Sequence, residues 1–228
     1  MEAIVLAGGF GTRLRAVVPD LPKPMAPVAG RPFLEILLTT LAAKGFTRVI
    51  LSLGFMAEKV VSHFGREFCG MELVYEIETT PLNTGGAVRA AIGHCRSDHV
   101  YVFNGDTYLD LEVAELERQW QATREVQIVV RAVEDTARFG RVDLAHNHVV
   151  AFREKGVAGP GLINAGCYVL PAVALGAFPL GQPFSLETEF LIPAVQTTSV
   201  GGFVTQGLFI DIGVPEDYDL AQSMLAEI

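Results

Sequence analysis

Through the first half of the chain, short apolar runs alternate with segments patterned for a helix, and few folds tolerate that order. Residues 3–7 (AIVLA) read as a buried strand, and in 32–44 Phe33, Leu34, Leu37, Leu38 and Leu41 recur at helical spacing. The pattern repeats: a strand at 48–53 and a helix at 56–64, a strand at 71–77 and a helix at 84–94, then a strand at 99–103. Strand followed by helix, several times over, calls for an α/β fold with a mostly parallel central sheet covered on both faces.

After a helix at 111–122 the texture changes. Strands at 127–132, 141–144, 148–152 and 162–170 follow one another with no long helix between them. A helix near 185–196, a strand at 203–210 and a helix near 215–226 complete the chain. The expectation is one domain, 1–228, with a nucleotide-side half to about 110 and a mixed-sheet extension carrying a second substrate from about 111. No apolar run approaches the ~20 residues that span a bilayer, and the N-terminus lacks a basic segment ahead of its apolar stretch, so a cytoplasmic protein is expected. Cys69, Cys95 and Cys167 are too scattered for a disulfide framework or a zinc knuckle, and no spacing among the five histidines suits zinc. The net charge is −9 with no Lys/Arg cluster, which argues against a nucleic-acid partner. A phosphate ligand would have to be held by a few placed cations, backbone N–H groups or a metal. Symmetric assembly is common among enzymes, but no segment marks an interface.

The first strand runs into Leu6-Ala7-Gly8-Gly9-Phe10-Gly11-Thr12-Arg13-Leu14. Glycines after a strand let backbone N–H groups approach phosphate. Gly11 is followed by Thr12-Arg13 rather than by Gly-Lys-Ser/Thr, which excludes a Walker loop. Leu14 stands where the dinucleotide fingerprint needs a third glycine, and no acid ends the second strand. Lys23 lies between Pro22 and Pro24, on a stiff backbone that suits a cation meeting developing charge without reorganising.

Gly8–Leu14 together with Pro22-Lys23-Pro24-Met25 resembles the signature of the sugar-nucleotidyltransferases, also called nucleotide-sugar pyrophosphorylases. The likeness runs nearly the whole chain. Pro81-Leu82-Asn83-Thr84-Gly85-Gly86-Ala87 is similar to that family's base-contacting loop, and Asn104-Gly105-Asp106 to its metal-binding turn. Phe139-Gly140, Glu154-Lys155, Asn164-Ala165-Gly166 and Asp211-Ile212-Gly213 follow in the order of its sugar- and metal-side elements. Pro24-Met25-Ala26-Pro27 and Ser185-Leu186-Glu187 resemble most the bacterial branch acting on D-glycero-D-manno-heptose 1-phosphate with GTP.

The resemblance implies a Rossmann-like three-layer sandwich and an Mg²⁺-dependent condensation of a sugar 1-phosphate with a nucleoside triphosphate, releasing pyrophosphate, here for GDP-heptose and surface polysaccharide. Arg13 would clamp the triphosphate through its planar fork, and Lys23 would reach the α-phosphate as charge builds there. Leu6, Gly8, Gly9, Gly11, Thr12, Glu78, Pro81, Asn83 and Gly105 would contact the nucleotide. Asp106, at the end of an apolar strand, and Asp211 would hold the metal, since Mg²⁺ takes one or two carboxylates and fills the rest with phosphate and water. Each could instead cap a turn. Gly140, Glu154, Lys155, Asn164 and Glu187 would serve the sugar phosphate. Gly156 departs from the pattern, standing where many relatives carry proline.

Guanine offers two donors on one edge, which a carboxylate accepts, whereas uracil and thymine suit an amide. Glu78 stands where thymidylyltransferase relatives carry glutamine and so points to guanine, with Glu76 close by as a competing acid. Two other readings remain open: uridylyl transfer to a hexose or amino-sugar 1-phosphate such as N-acetylmuramate 1-phosphate, and a non-catalytic regulatory module that binds nucleotide-sugars.

Overall fold

The computed structural model describes residues 1–9, 14 and 18–228. Strand β1 (Glu2–Ala7) leads to a small hairpin, β2 (Pro27–Val28) and β3 (Arg31–Pro32), and then to α1 (Phe33–Ala43). Next come β4 (Arg48–Leu53), α2 (Ala57–Phe64), β5 (Glu67–Phe68), β6 (Met71–Ile77) and α3 (Asn83–Ala91). Strands β7 (His99–Asn104) and β8 (Thr107–Leu109) precede α4 (Val113–Thr123). The second half runs through β9 (Val126–Val133), β10 (Arg141–Ala145), β11 (His148–Arg153) and β12 (Gly161–Pro171). A π-helical turn, Leu186–Leu191, continues into α5 (Ile192–Thr197), and β13 (Val200–Thr205), β14 (Phe209–Asp211) and α6 (Pro215–Met224) follow.

Among the described residues ten strands form one sheet in the order β10-β11-β13-β9-β12-β7-β1-β4-β6-β5. The neighbours β6, β4, β1 and β7 are parallel, as expected for successive strand–helix units. Beyond β7 the sheet turns mixed: β12 runs antiparallel to both β7 and β9, and β13 lies parallel to β9. The expected extension is therefore a continuation of the same sheet.

Side-chain alternation explains the layering. Ala3, Val5 and Ala7 of β1 and Val49, Leu51 and Leu53 of β4 face a core shared with Leu34, Leu37 and Leu41 of α1, Val60 and Phe64 of α2, and Leu116 and Trp120 of α4. Ile4 and Ile50 turn the other way, toward Val88 and Ala91 of α3 and Leu186 and Leu191 of the π-helical turn. The result is the three-layer α/β sandwich expected from the pattern.

One expected strand is divided. Residues 203–210 read as a single strand, but β13 ends at Thr205 and β14 begins at Phe209. At the break the Glu112 carboxylate accepts hydrogen bonds from the Thr205 hydroxyl at 2.6 Å and the Gln206 N–H at 2.9 Å. The chain then leaves the large sheet, and β14 pairs instead with β8. In the sequence, Thr205-Gln206-Gly207 between Phe203-Val204 and Leu208-Phe209-Ile210 is the mark of that break. No described helix is long and apolar enough to cross a membrane.

Candidate functional site

The parallel strands end along one edge of the sheet, where ligands bind in folds of this type. A cavity of about 540 Å³ opens there, lined by the residues just past β1 (Gly8, Gly9), β4 (Gly54, Phe55), β6 (Glu78–Thr80) and β7 (Gly105, Asp106). Of the residues expected to contact nucleotide, Leu6, Gly8, Gly9, Glu78, Pro81, Asn83 and Gly105 all line it. Gly11, Thr12 and Arg13 lie outside the described residues.

At the base end, Glu78 is turned inward. Its Oε2 accepts from the Leu82 N–H at 3.0 Å and its Oε1 from the Ser52 hydroxyl at 3.3 Å. The competing acid, Glu76, is engaged elsewhere, 2.7 Å from His94 Nε2. Asn83, where relatives often carry glycine, adopts a left-handed φ of 56°, a conformation glycine takes without penalty. Gly85 and Gly86 donate their N–H groups to the carbonyl of Phe184, at 2.9 and 3.3 Å, so this loop also docks the segment ahead of the π-helical turn.

At the other end Lys23 sits in a 3₁₀ turn, Lys23–Met25, closed by Met25 N–H to Pro22 O at 2.8 Å. Its ammonium, only 13% exposed, stands 2.5 Å from Asp106 Oδ2. The tight turn between β7 and β8 presents Asp106, and the antiparallel β8–β14 pair sets Thr107 opposite Asp211. The Ile212 N–H donates to Asp106 O at 2.9 Å, binding the two segments together. Asp211 Oδ1 accepts from the Gly213 N–H at 2.6 Å, so part of this side chain does cap a turn, leaving Oδ2 for another partner. Burial pushes the Asp211 carboxyl above its ordinary value, with the neighbouring Asp106 charge adding to the rise, while Lys23, the Gly213 N–H and Arg138 oppose it. The buried Asp211 carboxylate beside Asp106 and one ammonium forms a donor set suited to a divalent cation that keeps water and phosphate ligands. Lys23, Asp106 and Asp211 thus meet at one point, as the sequence motifs require.

The sugar-side residues lie elsewhere: Gly140, Glu154, Lys155, Asn164 and Glu187 are not among those lining the cavity. They form two groups. Asn164 Nδ2 donates to Tyr168 Oη at 2.8 Å and to Glu187 Oε2 at 3.2 Å, and its Oδ1 accepts from the Gly166 N–H at 3.0 Å. Both amide donors of Asn164 are spent on protein, which leaves its Oδ1, with one lone pair free, and Glu187 as acceptors able to meet a ligand hydroxyl. Gly166 sits at a bulge in β12 and packs against Asn104, a cavity residue, so this group borders the cavity. The second group is a pair of loops: Gly140 packs against Arg153–Lys155, with Glu154 and Lys155 exposed at the end of β11. Gly156, at φ 99°, holds a conformation proline cannot reach, which accounts for its departure from the family pattern.

Sequence reading passed over Ser52, Tyr168 and Arg138. Ser52 left a signal, a hydroxyl interrupting the apolar run of residues 49–53, and it is fully buried. The other two gain meaning only from their neighbours in space.

The profile of the family described as nucleotidyl transferase matches residues 2–227. The chain is 37% identical to D-glycero-alpha-D-manno-heptose 1-phosphate guanylyltransferases of Aneurinibacillus thermoaerophilus, over 99% of this chain and 98% of that one, and of Campylobacter jejuni, over 96% and 97%. It is also 37% identical to a mannose-1-phosphate guanylyltransferase of Mycobacterium tuberculosis, of which it spans 62%. Among solved structures it resembles HddC from Yersinia pseudotuberculosis, with a TM-score of 0.88, 37% identity and 98% of each chain covered, and the same protein complexed with GMP-PN, with a TM-score of 0.87. A motif set in order along the chain, a cavity at the strand ends and a near full-length match agree: the chain belongs to the nucleotidyl transferase family and is an enzyme of that class.

Proposed function

We propose that this enzyme transfers the guanylyl group of GTP to D-glycero-α-D-manno-heptose 1-phosphate, giving GDP-heptose and pyrophosphate for surface polysaccharide synthesis in the cytoplasm, where GTP is made. The observation that carries the reading is the meeting of Lys23, Asp106 and Asp211 at one end of a cavity whose other end holds the inward-facing Glu78. That arrangement suits a nucleotide lying with its base at Glu78 and its α-phosphate at Lys23. Glu78 accepts the Leu82 N–H on one oxygen and the Ser52 hydroxyl on the other, and each oxygen retains a lone pair for the N1–H and 2-amino donors of guanine.

The sugar phosphate is already ionised at neutral pH, so attack on the α-phosphorus needs no general base; it needs alignment and neutralised charge. Lys23, on its stiff turn, supplies a positive charge that does not have to reorganise as the transition state forms. Arg13 is assigned to the triphosphate by its motif. Asp106 and Asp211 would hold Mg²⁺, which when bound neutralises phosphate charge and fixes the geometry of the phosphate oxygens. Glu187, steadied by Asn164, and the Gly140–Lys155 loops, with Glu154, would take the sugar and its phosphate. Residues 1–228 act on this reading as one catalytic unit, its nucleotide half ending near 110 and its sugar half following.

Heptose is the reading that Pro24-Met25-Ala26-Pro27 and Ser185-Leu186-Glu187 favour, and two relatives of that name are 37% identical over 99% and 96% of this chain. The test is pyrophosphate release with Mg²⁺ across four triphosphates and a panel of sugar 1-phosphates that includes mannose, N-acetylmuramate and the manno-configured heptose. GTP with the heptose should lead. Turnover confined to UTP would overturn the assignment of Glu78, and mannose 1-phosphate in first place would overturn the sugar.

A further inference from the structure

Arg138 belongs to no motif discussed so far, yet it stands between the metal-side aspartate and the sugar-side loops. It rides on the loop joining β9 to β10. That loop is fastened to its neighbour: the Thr136 hydroxyl, in a buried residue, donates to Val157 O at 2.9 Å, and the Thr136 N–H donates to Gly159 O at 3.0 Å. The Gly156 N–H returns a bond to Ala137 O at 2.8 Å, and Asp135 Oδ1 accepts from the Ala137 and Gly159 N–H groups at 3.0 and 3.1 Å. Arg138 and Lys155 are therefore carried by two loops held in fixed relation, Gly140 packing against Lys155.

From this mount Arg138 reaches toward the metal side. One guanidinium nitrogen donates to Asp217 in the first turn of α6, and the group lies 4.6 Å over the ring of Phe139. The Phe139 ring in turn meets Phe209 edge-on, at 6.3 Å between centroids. Phe209 and Asp211, two residues apart on β14, project from the same face of the strand. The guanidinium is half-exposed, and among the described residues only Asp217 is bonded to it, leaving further N–H groups of its planar fork to meet an incoming anion.

We infer that Arg138 is a binding residue for the phosphate of the sugar 1-phosphate. The inference rests on the nucleotidyl-transfer reading. A sugar phosphate aligned on the α-phosphorus brings its own negative charge beside Asp106 and Asp211, and a guanidinium on the sugar-side loops is placed to offset it by a bidentate contact. The triphosphate is assigned instead to the Gly-rich motif after β1 and to Lys23.

The test compares Arg138→Ala, Arg138→Lys and Asp217→Asn by steady-state pyrophosphate release and by calorimetric titration with the heptose 1-phosphate. Arg138→Ala should raise KM for the sugar 1-phosphate roughly tenfold or more, with KM for GTP changed less than about twofold. Arg138→Lys should recover part of that loss, since a point charge replaces the fork. Asp217→Asn should leave the sugar KM near that of the wild type, because it frees the guanidinium and does not remove it. An unchanged sugar KM in Arg138→Ala, a loss that falls on GTP instead, or an Asp217→Asn enzyme as impaired as Arg138→Ala would each overturn the inference; the last would reduce Arg138 to a clasp between loop and helix. A wild-type protein that releases no pyrophosphate from any substrate pair would sink the parent reading instead, and calorimetry would still report whether Arg138→Ala weakens binding of the sugar phosphate.

Discussion

The cavity around Gly8, Glu78 and Lys23 is carried by the ends of parallel strands and one proline-braced turn, whereas the sugar-side residues ride on loops, a bulge and a π-helical turn. Strand ends are held on both sides by sheet hydrogen bonds, so what they present is set before a ligand arrives. Bulges and π-helical turns are irregularities that re-aim side chains and are concentrated at functional sites. The contrast suggests a division of labour. On the proposed reading, the nucleotide floor serves the transfer chemistry and the irregular elements beside it choose the second substrate.

If the floor carries the chemistry, changes there should cost turnover, and changes on the sugar side should cost affinity. The largest effect is expected at Lys23: Lys23→Ala should lower kcat by roughly 10²–10³-fold with little change in triphosphate affinity, because its contact strengthens in the transition state. Steady-state kinetics beside equilibrium nucleotide binding check this, and equal losses in both would remove Lys23 from the catalytic group. Next comes Glu78→Gln, which should cut kcat/KM for GTP by roughly tenfold or more and narrow the gap to UTP, since one carboxylate acceptor of guanine is lost. An unaltered preference among the four triphosphates would show that Glu78 does not read the base.

Tyr168→Phe sharpens the comparison from the other side. It removes the acceptor 2.8 Å from Asn164 Nδ2 without changing the packing of the ring. About 1 kcal/mol of positioning is at stake, a several-fold rise in KM for the sugar 1-phosphate with KM for GTP and kcat nearly constant. A fall in kcat alone would break the division.

The smallest effect is one of stability, and its sign runs opposite to function. The Asp211 carboxyl titrates above its ordinary 3.8 in the fold, chiefly through burial and then through Asp106. Stability from this group is therefore full below 3.8 and lost as pH rises through the folded value, so at neutral pH its ionisation opposes folding. Without divalent ions, Asp211→Asn should melt a few degrees above the wild type at pH 7, and the difference should shrink as the pH is lowered into the acid range. Turnover should meanwhile fall sharply. Thermal melts in a chelating buffer decide the point: coincident midpoints at pH 7 would mean that ionising the buried Asp211 carboxyl does not cost stability.

The legibility of the molecule follows the same divide. The nucleotide floor could be read because its residues are contiguous: Gly8-Gly9, Pro22-Lys23-Pro24 and Asn104-Gly105-Asp106 each name a local geometry. Glu78 was legible through chemistry, an acid suited to guanine, but its choice over Glu76 required the structure, which pairs Glu76 with His94. Asn164 was expected to hydrogen-bond a sugar hydroxyl; its two amide donors go to Tyr168 and Glu187, so its Oδ1 is what retains a lone pair for such a contact. No pattern in one dimension announces where an amide spends its donors.

By itself the sequence determined the layering, because period-two strands and helix-spaced apolar stripes can bury their faces together only as a sheet between helices. It also determined the chemical inventory of a phosphate-handling enzyme with a lysine on a stiff mount and acids at strand ends. Tertiary structure alone decided the junctions: that β14 leaves the sheet after the break in 203–210 and sets Asp211 beside Asp106, and that Arg138 spans from a sugar-side loop to α6. Those arrangements depend on pairings between residues dozens of positions apart. Their free energy comes from contacts made only once the chain has closed, so no local pattern encodes them.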